Sequence, residues 1–187
     1  MNHDSERVFD EYLVLMAQGG SRGAMDRLAR RWTPRLLRYV SRTLGSSQGA
    51  RDVVQETWIG AIRGLPRLAD SSQFKGWIYS IAHRKCVDTV RSIQRSRRLH
   101  HRVHQDALAS IPESEDVPAE SRGDLSDAID RLSEEHRSVV HLFYGEDLNL
   151  NEIAMVLAVP AGTVKSRLFH AREILKQQLG ERHEQHR

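Results

Sequence analysis

The stretch NLNEIAMVLAVPAGTVKSRLFHAREIL, residues 149–175, decides the fold of the second half of this chain. It opens with the signals of a helix start, because Asn149 can cap a helix and Glu152 follows at the spacing of a capping box. Leu148 and Ile153 occupy the two positions of a hydrophobic staple. These signals predict a helix that begins directly after Asn149.

This first helix is predicted to end at about Leu157. The next residues, VPAG at 159–162, supply a tight turn, and a second helix is predicted from about Thr163. Two helices joined by so short a turn predict a helix-turn-helix, the motif that places its second helix in a DNA groove.

The two faces of the second helix differ in character. At 100° per residue, its apolar residues share the side predicted to pack inward: Val164, Leu168, Ala171 and Leu175. On or beside the opposite side stand a cation for phosphate, hydrogen-bonding groups and an aromatic for thymine methyls: Lys165, Ser166, Phe169 and His170. The alternative to a DNA-reading helix is an ordinary helical hairpin with a solvated basic face.

Charge is distributed unevenly along the 187 residues, although the formal net charge is only +3. Residues 84–102 contain seven Arg and Lys and one acid, Asp88, whereas residues 106–127 contain seven acids and one base, Arg122. A basic block beside an acidic block indicates a nucleic-acid face next to a solvated connector.

The acidic block lies in a segment, residues 99–123, that lacks a sustained apolar stripe and contains Pro112 and Pro118. We predict a flexible connector, whose roughly 25 residues could span up to about 80–90 Å if extended. Elsewhere the periodic segments have helical spacing, and strand-like alternation is absent. The sequence therefore predicts an all-α chain of two small helical domains, 5–98 and 124–180, joined by a flexible acidic linker.

Several functional classes are disfavoured by what the sequence lacks. Cys86 is the only cysteine, so no internal disulfide forms and a reducing compartment is favoured. No stretch approaches the roughly 20 apolar residues of a membrane span, and the N-terminus has no signal-peptide pattern. We expect a cytoplasmic protein without membrane insertion. No Walker-type glycine loop is present, and no catalysis is predicted.

The first half contains two informative stretches. In DVVQETWIGAIRGL, residues 52–65, an apolar helix side is predicted for Val54, Trp58, Ala61, Ile62 and Leu65. Residues 74–98, FKGWIYSIAHRKCVDTVRSIQRSRR, combine aromatic residues with a dense basic run. Aromatic rings can stack on unpaired bases while Arg and Lys hold the backbone. Equally, Trp77 and Tyr79 can be core residues and the arginines a solvated face.

In their order and spacing, DVVQETW, FKGWIYSIAHRKCVDTVRS, the acidic connector and the LNEIA…GTVKSR block resemble an extracytoplasmic-function (ECF) sigma factor of the sigma-70 family. The resemblance covers nearly the whole chain and includes the two domains such proteins keep, regions 2 and 4. It implies a protein that binds core RNA polymerase and directs promoter recognition, DNA melting and transcription initiation. It also implies that the chain works by binding energy, without a cofactor or a metal.

The resemblance further implies roles for individual residues of the first half. Docking on the clamp helices of the polymerase beta-prime subunit falls to Asp52, Gln55 and Glu56. A base flipped from the −10 element would be received by Asp70, Ser71, Ser72, Gln73 and Phe74. The separated strand would be held by Trp77, Arg84, Lys85 and Arg91.

In the second half, the resemblance assigns reading of the −35 element to Thr163, Lys165, Ser166, Arg167, Phe169 and His170. Arg84 stands where many relatives have Asn, and His170 stands where many have Arg, so promoter preference is left open. The connector would thread toward the polymerase active-site and RNA-exit channels. The implied partners are core RNA polymerase (beta-prime clamp helices and beta subunit), promoter DNA and an anti-sigma factor.

Three other functions are suggested by parts of the sequence. A conventional helix-turn-helix regulator, with an N-terminal half that senses a ligand or dimerises, would use the same recognition helix. A metal site is suggested by His100, His101 and His104, but no nearby Cys or carboxylate pattern completes it, which favours solvated histidines. Cys86 as a nucleophile is disfavoured because it sits on an apolar helix side.

Overall fold

The computed structural model describes residues 3–103 and 124–185, with the side chains of 5–96 and 125–180. These ranges contain helices and no strand, which confirms the predicted all-α class. The α-helices are α1 (His3–Gln18), α2 (Arg22–Leu44), α3 (Ala50–Gly64), α4 (Phe74–Val103), α5 (Asp124–Asp130), α6 (Glu134–Val140), α7 (Leu150–Leu157) and α8 (Ala161–Gln185). Within the same ranges, no helix combines the length and apolarity needed to cross a membrane.

Helix α2 forms the centre of the first half because its apolar residues recur about one turn apart. The buried residues on this face are Ala24, Leu28, Trp32, Leu36, Tyr39 and Val40. Ser21 caps the start by accepting from the Ala24 amide, and Gly45 ends the helix in the left-handed conformation with φ of 67°. The helix continues through Pro34, whose side chain faces solvent.

Helix α3 packs on both α2 and α4, and its buried residues include Val53, Val54, Thr57 and Ala61. The predicted apolar side was wrong at Ile62, whose exposed fraction is 55%. One residue beyond the buried Ala61, a helix has rotated by about 100°, which takes the Ile62 side chain away from α4. Helix α4 itself runs to Val103, so the helix continues past the predicted end of the first domain.

The second half is built as the helix-turn-helix pattern predicts. Helix α7 ends at Leu157, as expected, and Ala158 adopts the left-handed conformation with φ of 53°. Helix α8 begins at Ala161, slightly earlier than the predicted Thr163, because the Pro160 carbonyl already accepts from two amides of the new helix. A turn of π-helix, His141–Gly145, connects α6 to the loop before α7.

The two halves pack directly on each other, which the sequence did not predict. Helix α4 of the first half lies against α7 of the second, and the buried apolar side chains form one continuous cluster across the contact. Gly76 permits the close approach: a Cβ atom there would lie 3.3 Å from both the Cα and the Cβ of Glu152. The helix-turn-helix therefore sits against the N-terminal turns of α4.

Candidate nucleic-acid interface

Helix α8 presents a polar face with one large aromatic ring to solvent. Its inward residues Val164, Leu168 and Ala171 are buried, as the wheel predicted. The outward set is exposed: Lys165, Ser166, Phe169 and His170. The Phe169 ring, 59% exposed, lies 5.5 Å from the His170 ring, centroid to centroid. This face offers a cation, a hydroxyl, an imidazole and an apolar ring, the groups that read base edges and phosphates.

Two further predicted recognition residues are half-buried at the edge of this face. The backbone carbonyl of Thr163 accepts from the Ser166 hydroxyl at 3.0 Å. The Arg167 guanidinium lies 2.9 Å from the Glu135 carboxylate of α6, with 22% of the arginine side chain exposed. This ion pair links α8 to α6, and only part of the Arg167 guanidinium remains accessible.

Helix α7, which supports α8, is held by the predicted capping box. The Asn149 Oδ1 accepts from the amides of Asn151 at 2.9 Å and Glu152 at 3.0 Å. In return, the Glu152 Oε2 accepts from the Asn149 amide at 2.7 Å. Leu148 and Ile153, the predicted staple pair, are both buried. The start of α7 is thus fixed by both hydrogen bonds and apolar contact.

The loop before α4 is a short 3-10 turn, Ser71–Gln73, organised by one carboxylate. Asp70 accepts from the Ser72 amide at 2.9 Å, the Ser72 hydroxyl at 2.6 Å and the Gln73 side-chain amide at 3.1 Å. These hydrogen bonds lower the pKa of Asp70 below its usual range. The bond from the Ser72 hydroxyl has the largest effect, and those from the Ser72 amide and Gln73 have smaller ones. The loop carries a charged carboxylate and exposed polar side chains.

The end of this loop is anchored in the core by Phe74, which is 2% exposed and meets Trp32 edge-on at 5.5 Å. Trp77 follows half-buried, and its ring lies so close to α3 that a Cβ at Gly64 would be 2.9 Å from it. Phe74 has no face open to a base, so it positions the loop, whereas Trp77 is partly accessible.

The basic residues of α4 run away from the loop along an accessible side. Arg84 and Arg91 are exposed, and Lys85 is half-buried. The Arg84 Nε donates to the Ser80 carbonyl at 3.2 Å. Cationic groups spaced along one helix suit a nucleic-acid backbone, which carries a regular series of charges.

The predicted polymerase-binding residues Asp52, Gln55 and Glu56 are all exposed on α3. The Glu56 Oε2 accepts from the Lys85 ammonium at 3.2 Å. Because 39% of the Lys85 side chain and 57% of the Glu56 side chain are exposed to water, such a pair contributes little to stability, typically about 0–1 kcal/mol. It does place the predicted polymerase face beside the predicted DNA face.

A buried carboxylate at the junction of the halves was missed by sequence reasoning. The Tyr79 hydroxyl donates to the Glu146 Oε2 at 2.5 Å, and the Arg42 Nη1 lies 3.7 Å from Oε1. Burial raises the pKa of Glu146 above its usual range, while the Tyr79 hydrogen bond opposes that shift. Among the described residues, Oε1 has no hydrogen-bond partner. In sequence, Glu146 follows Gly145 in a polar turn and gives no signal of burial.

The other chemical candidates do not form a site in the described part of the chain. Cys86 is fully buried, and burial raises the pKa of its thiol to about 12, so it is not a nucleophile. No metal-binding group of His, Cys, Asp and Glu occurs among the described residues. The side chains of His100, His101 and His104 lie outside them.

Models of known protein families match both halves. Residues 28–96 match sigma-70 region 2, and residues 128–177 match sigma-70 region 4. The chain is 31% identical to the RNA polymerase sigma-H factor of Pseudomonas aeruginosa, over 91% of this chain and 93% of that protein. It is 32% identical to the ECF RNA polymerase sigma-E factor of Escherichia coli K12, over 91% of this chain and 94% of that protein.

Two solved structures share the fold. The chain is similar to CnrH, solved in complex with the cytosolic domain of CnrY, with a TM-score of 0.65 and 23% identity over 92% of this chain and 98% of that one. It is also similar to the sigma factor RpoE of Bartonella quintana, solved in complex with the anti-sigma factor NepR, with a TM-score of 0.64 and 22% identity over 83% of this chain and 96% of that one.

Proposed function

The chain belongs to the sigma-70 family, in its ECF group of RNA polymerase sigma factors, and from that premise we propose how its surfaces divide the work of initiation. As a member of this group it binds core RNA polymerase and directs promoter recognition, DNA melting and transcription initiation. The match of residues 28–96 to region 2 identifies this half as a sigma-factor domain rather than the sensing or dimerisation domain of a conventional regulator.

The outward face of α8 is the proposed reader of the −35 element. Lys165 and Arg167 contact phosphates, and the other members of the set meet base edges and groove walls: Thr163, Ser166, Phe169 and His170. The supporting observation is that the opposite face of α8 packs into the core through buried apolar residues. The outward face is therefore ordered before DNA binds. A good base contact is worth about 1–3 kcal/mol of discrimination.

The turn at Ser71–Gln73 is the proposed receiver of a base flipped from the −10 element. The observation that carries this proposal is a short polar loop with exposed hydrogen-bonding side chains, fixed at one end by the Asp70 carboxylate and at the other by buried Phe74. Trp77 lies just beyond the anchor, and the separated strand follows the basic residues of α4: Arg84, Lys85 and Arg91.

Strand opening by binding energy alone is feasible on these terms. Flipping a base costs a few kcal/mol. Stacking on an aromatic ring returns about 1–3 kcal/mol per base, and cationic contacts along the strand add to it. We therefore propose that the chain has no catalysis of its own and needs no ATP to open a promoter.

The remaining assignments concern binding partners and cellular location. Asp52, Gln55 and Glu56 on α3 are proposed to dock on the beta-prime clamp helices, and the beta subunit is a further proposed partner. The connector, residues 99–123, is proposed to join domains 5–98 and 124–180 and to thread toward the polymerase active-site and RNA-exit channels. Two structural relatives were solved with a bound CnrY domain and a bound anti-sigma factor, which supports an anti-sigma factor as a further partner here. Because a sigma factor acts together with RNA polymerase on DNA, we propose that the protein is cytoplasmic.

Two sets of substitutions can separate docking from melting. Replacing Ser71, Ser72 and Gln73 with Ala should leave core polymerase binding intact and reduce the permanganate reactivity of unpaired thymines on a cognate promoter without ATP. Replacing Gln55 and Glu56 with Ala should weaken polymerase binding itself, measured in a pull-down with circular dichroism as a check of folding.

The chain supplies a matched control for the loop variant. Residues 46–48 have the same sequence, Ser-Ser-Gln, and are exposed, as Ser72 and Gln73 are, but they lie between α2 and α3. Their replacement with Ala should change neither measurement. Equal thymine reactivity in the 71–73 and 46–48 variants would show that the base-receiving loop is elsewhere, and no reactivity with the wild-type protein on any promoter would contradict the melting function.

A further inference from the structure

A cavity of about 290 Å³ lies between α2, the middle of α4, and α6 with the π-helical turn that follows it. It is separate from the outward face of α8 and from the 71–73 loop, and it shares only Arg91 with the proposed DNA contacts. Since a water molecule takes up about 30 Å³ in the liquid, the cavity has room for an ion of several heavy atoms.

The lining of this cavity is cationic. Its charged side chains are three guanidiniums and one carboxylate, contributed by α2, α4 and α6: Arg42, Arg91, Arg137 and Glu134. Glu146, outside the lining, lies 3.7 Å from the Arg42 Nη1 and offsets part of the charge there. Guanidiniums stay protonated at ordinary pH, and their planar fork matches the oxygens of a phosphate in two parallel hydrogen bonds. The lining therefore suits an anion and disfavours a metal cation.

His83 adds a neutral hydrogen-bonding group to the lining. Its Nδ1 lies 2.9 Å from the Tyr39 hydroxyl. Burial raises the pKa of Tyr39, so this hydroxyl keeps its proton and can donate it to Nδ1. His83 then carries its own ring proton on Nε2, which is left to donate to a ligand. Burial lowers the pKa of His83, against the opposing effect of Glu134, so the free imidazole is neutral at pH 7.

His141 contributes a second neutral imidazole, next to two of the guanidiniums. Burial lowers its pKa, Arg42 and Arg137 lower it further, and Asp130 opposes the shift. A negative charge in the cavity would favour the protonated form of both histidines and raise their pKa values. Binding of an anion would therefore be accompanied by proton uptake.

We propose that this cavity binds a small phosphate-bearing anion through its guanidiniums and imidazoles: Arg42, Arg91, Arg137, His83 and His141. Arg137 and the histidines are half-buried, and the other two arginines are exposed, so an anion can enter from solvent. Binding here requires neither polymerase nor DNA, so it is independent of the proposed function.

The charge of the lining favours a free or terminal phosphate over a phosphodiester. Three guanidiniums opposed by one carboxylate leave an excess of two positive charges. A terminal phosphate carries about −1.5 to −2 charges at pH 7, whereas each phosphate of a nucleic-acid backbone carries one. The ligand class is therefore inorganic phosphate, pyrophosphate or a small molecule that ends in a phosphate group.

Calorimetric titration of the full-length protein with pyrophosphate at pH 7 tests the site. The wild type should show one saturable site per chain. Arg42→Gln and Arg137→Gln should each weaken it about 10–100-fold, which is what the loss of a hydrogen bond between charged groups costs. Val90→Phe reduces the volume of the cavity without changing its charge and should also weaken binding. Circular dichroism checks the folding of each variant.

Arg30→Gln is the matched control. Arg30 is an exposed arginine of the same helix as Arg42, but it is twelve residues away, about 18 Å along the helix axis, and does not line the cavity. At physiological ionic strength a charge so distant is largely screened, so the affinity should change by less than about twofold. Equal weakening by Arg30→Gln and Arg42→Gln would reveal diffuse attraction and overturn the proposal.

Proton uptake is a second readout, which diffuse attraction would not give. Titrations in two buffers of different ionisation enthalpy should give different heats for the wild type. The difference should shrink in His141→Gln, where one of the two imidazoles is missing. Heats that are the same in both buffers would contradict the placing of the anion beside the histidines.

An oligonucleotide distinguishes the two sources of a phosphate group. A single strand without terminal phosphates should not displace pyrophosphate at the same concentration of phosphate groups. Displacement would show that the cavity takes the nucleic-acid backbone, and the absence of any saturable pyrophosphate binding would show that it takes no anion; either result overturns the proposal. Neither result depends on promoter opening, so the proposed function is judged separately by thymine reactivity.

Discussion

The recognition helix and the loop before α4 both present exposed polar groups, but they are stabilised in different ways. Helix α8 rests on a buried apolar seam, and its exposed face makes few bonds of its own. The 71–73 loop has one apolar anchor, Phe74, and its exposed groups already bond to Asp70. A rigid surface suits reading an intact duplex, whereas a self-bonded turn can exchange its hydrogen bonds for those of an extruded base.

The largest difference in stability is expected between the alanine variants of two phenylalanines, Phe74 after the loop and Phe169 on α8. Phe74→Ala removes a buried ring against Trp32 and should lower the free energy of unfolding by about 3–5 kcal/mol. Phe169→Ala removes an exposed ring and should change it by less than about 0.5 kcal/mol while weakening DNA binding. Urea denaturation of both variants checks the difference, and a similar loss in each would contradict the contrast between anchor and reader.

An intermediate effect is expected where the two halves of the chain meet. Tyr79→Phe leaves the buried Glu146 carboxylate without its hydroxyl donor, at a cost of about 1–3 kcal/mol when that carboxylate is ionised. Burial raises the pKa of Glu146, so this residue favours the folded protein most when it is protonated. Its contribution to the free energy of unfolding is fully present below its ordinary pKa and is lost as the pH rises through the raised pKa. The penalty of Tyr79→Phe should therefore be largest above the raised pKa and should shrink as pH falls through it.

Unfolding of the wild type and Tyr79→Phe over a pH series measures that dependence. The control is the same substitution in a Glu146→Gln background, where the residue at 146 no longer titrates. There the penalty should lose its pH dependence in the acid range. A penalty that stays constant with pH in both backgrounds would show that the hydroxyl does not act through the carboxylate.

The smallest effects on stability are expected at the two N-cap residues, Asn149 and Asp70. Asn149→Ala removes both acceptor bonds of the capping box and should cost about 1 kcal/mol of stability. Asp70→Ala removes bonds of a fully exposed short turn, so its cost in stability should be smaller, but promoter opening should suffer because the loop loses its organiser. Thermal unfolding and thymine reactivity, measured on both variants, should rank them in opposite orders.

Local periodicity explains why the helix-turn-helix was predicted in detail. The capping box, the staple and the inward face of α8 depend on residues within a few positions of one another, so their geometry follows from helix spacing. The prediction was wrong at Ile62 because the width of the buried face depends on how α4 covers α3. That contact is tertiary and leaves no trace in the periodicity of α3 alone.

The contact between the halves could not be predicted for a related reason. Tyr79 and Glu146 are separated by 67 positions, and each has an ordinary local context. Tyr79 follows an apolar residue in a helix, and Glu146 lies in a turn. Gly76 carries the only sequence hint, since a glycine inside a helix lowers its stability unless close packing requires it. The residue-level assignments to polymerase and DNA remain predictions.

The burial of Cys86 bears on how such a protein could respond to oxidants. Oxidation and thiol exchange proceed through the thiolate, and with a thiol pKa of about 12 only about one molecule in 10⁵ carries it at pH 7. The side chain is also closed to solvent, so peroxides and disulfides cannot reach the sulfur. While the chain is folded, its one cysteine is redox-silent, so a response to thiol oxidants cannot begin at this residue.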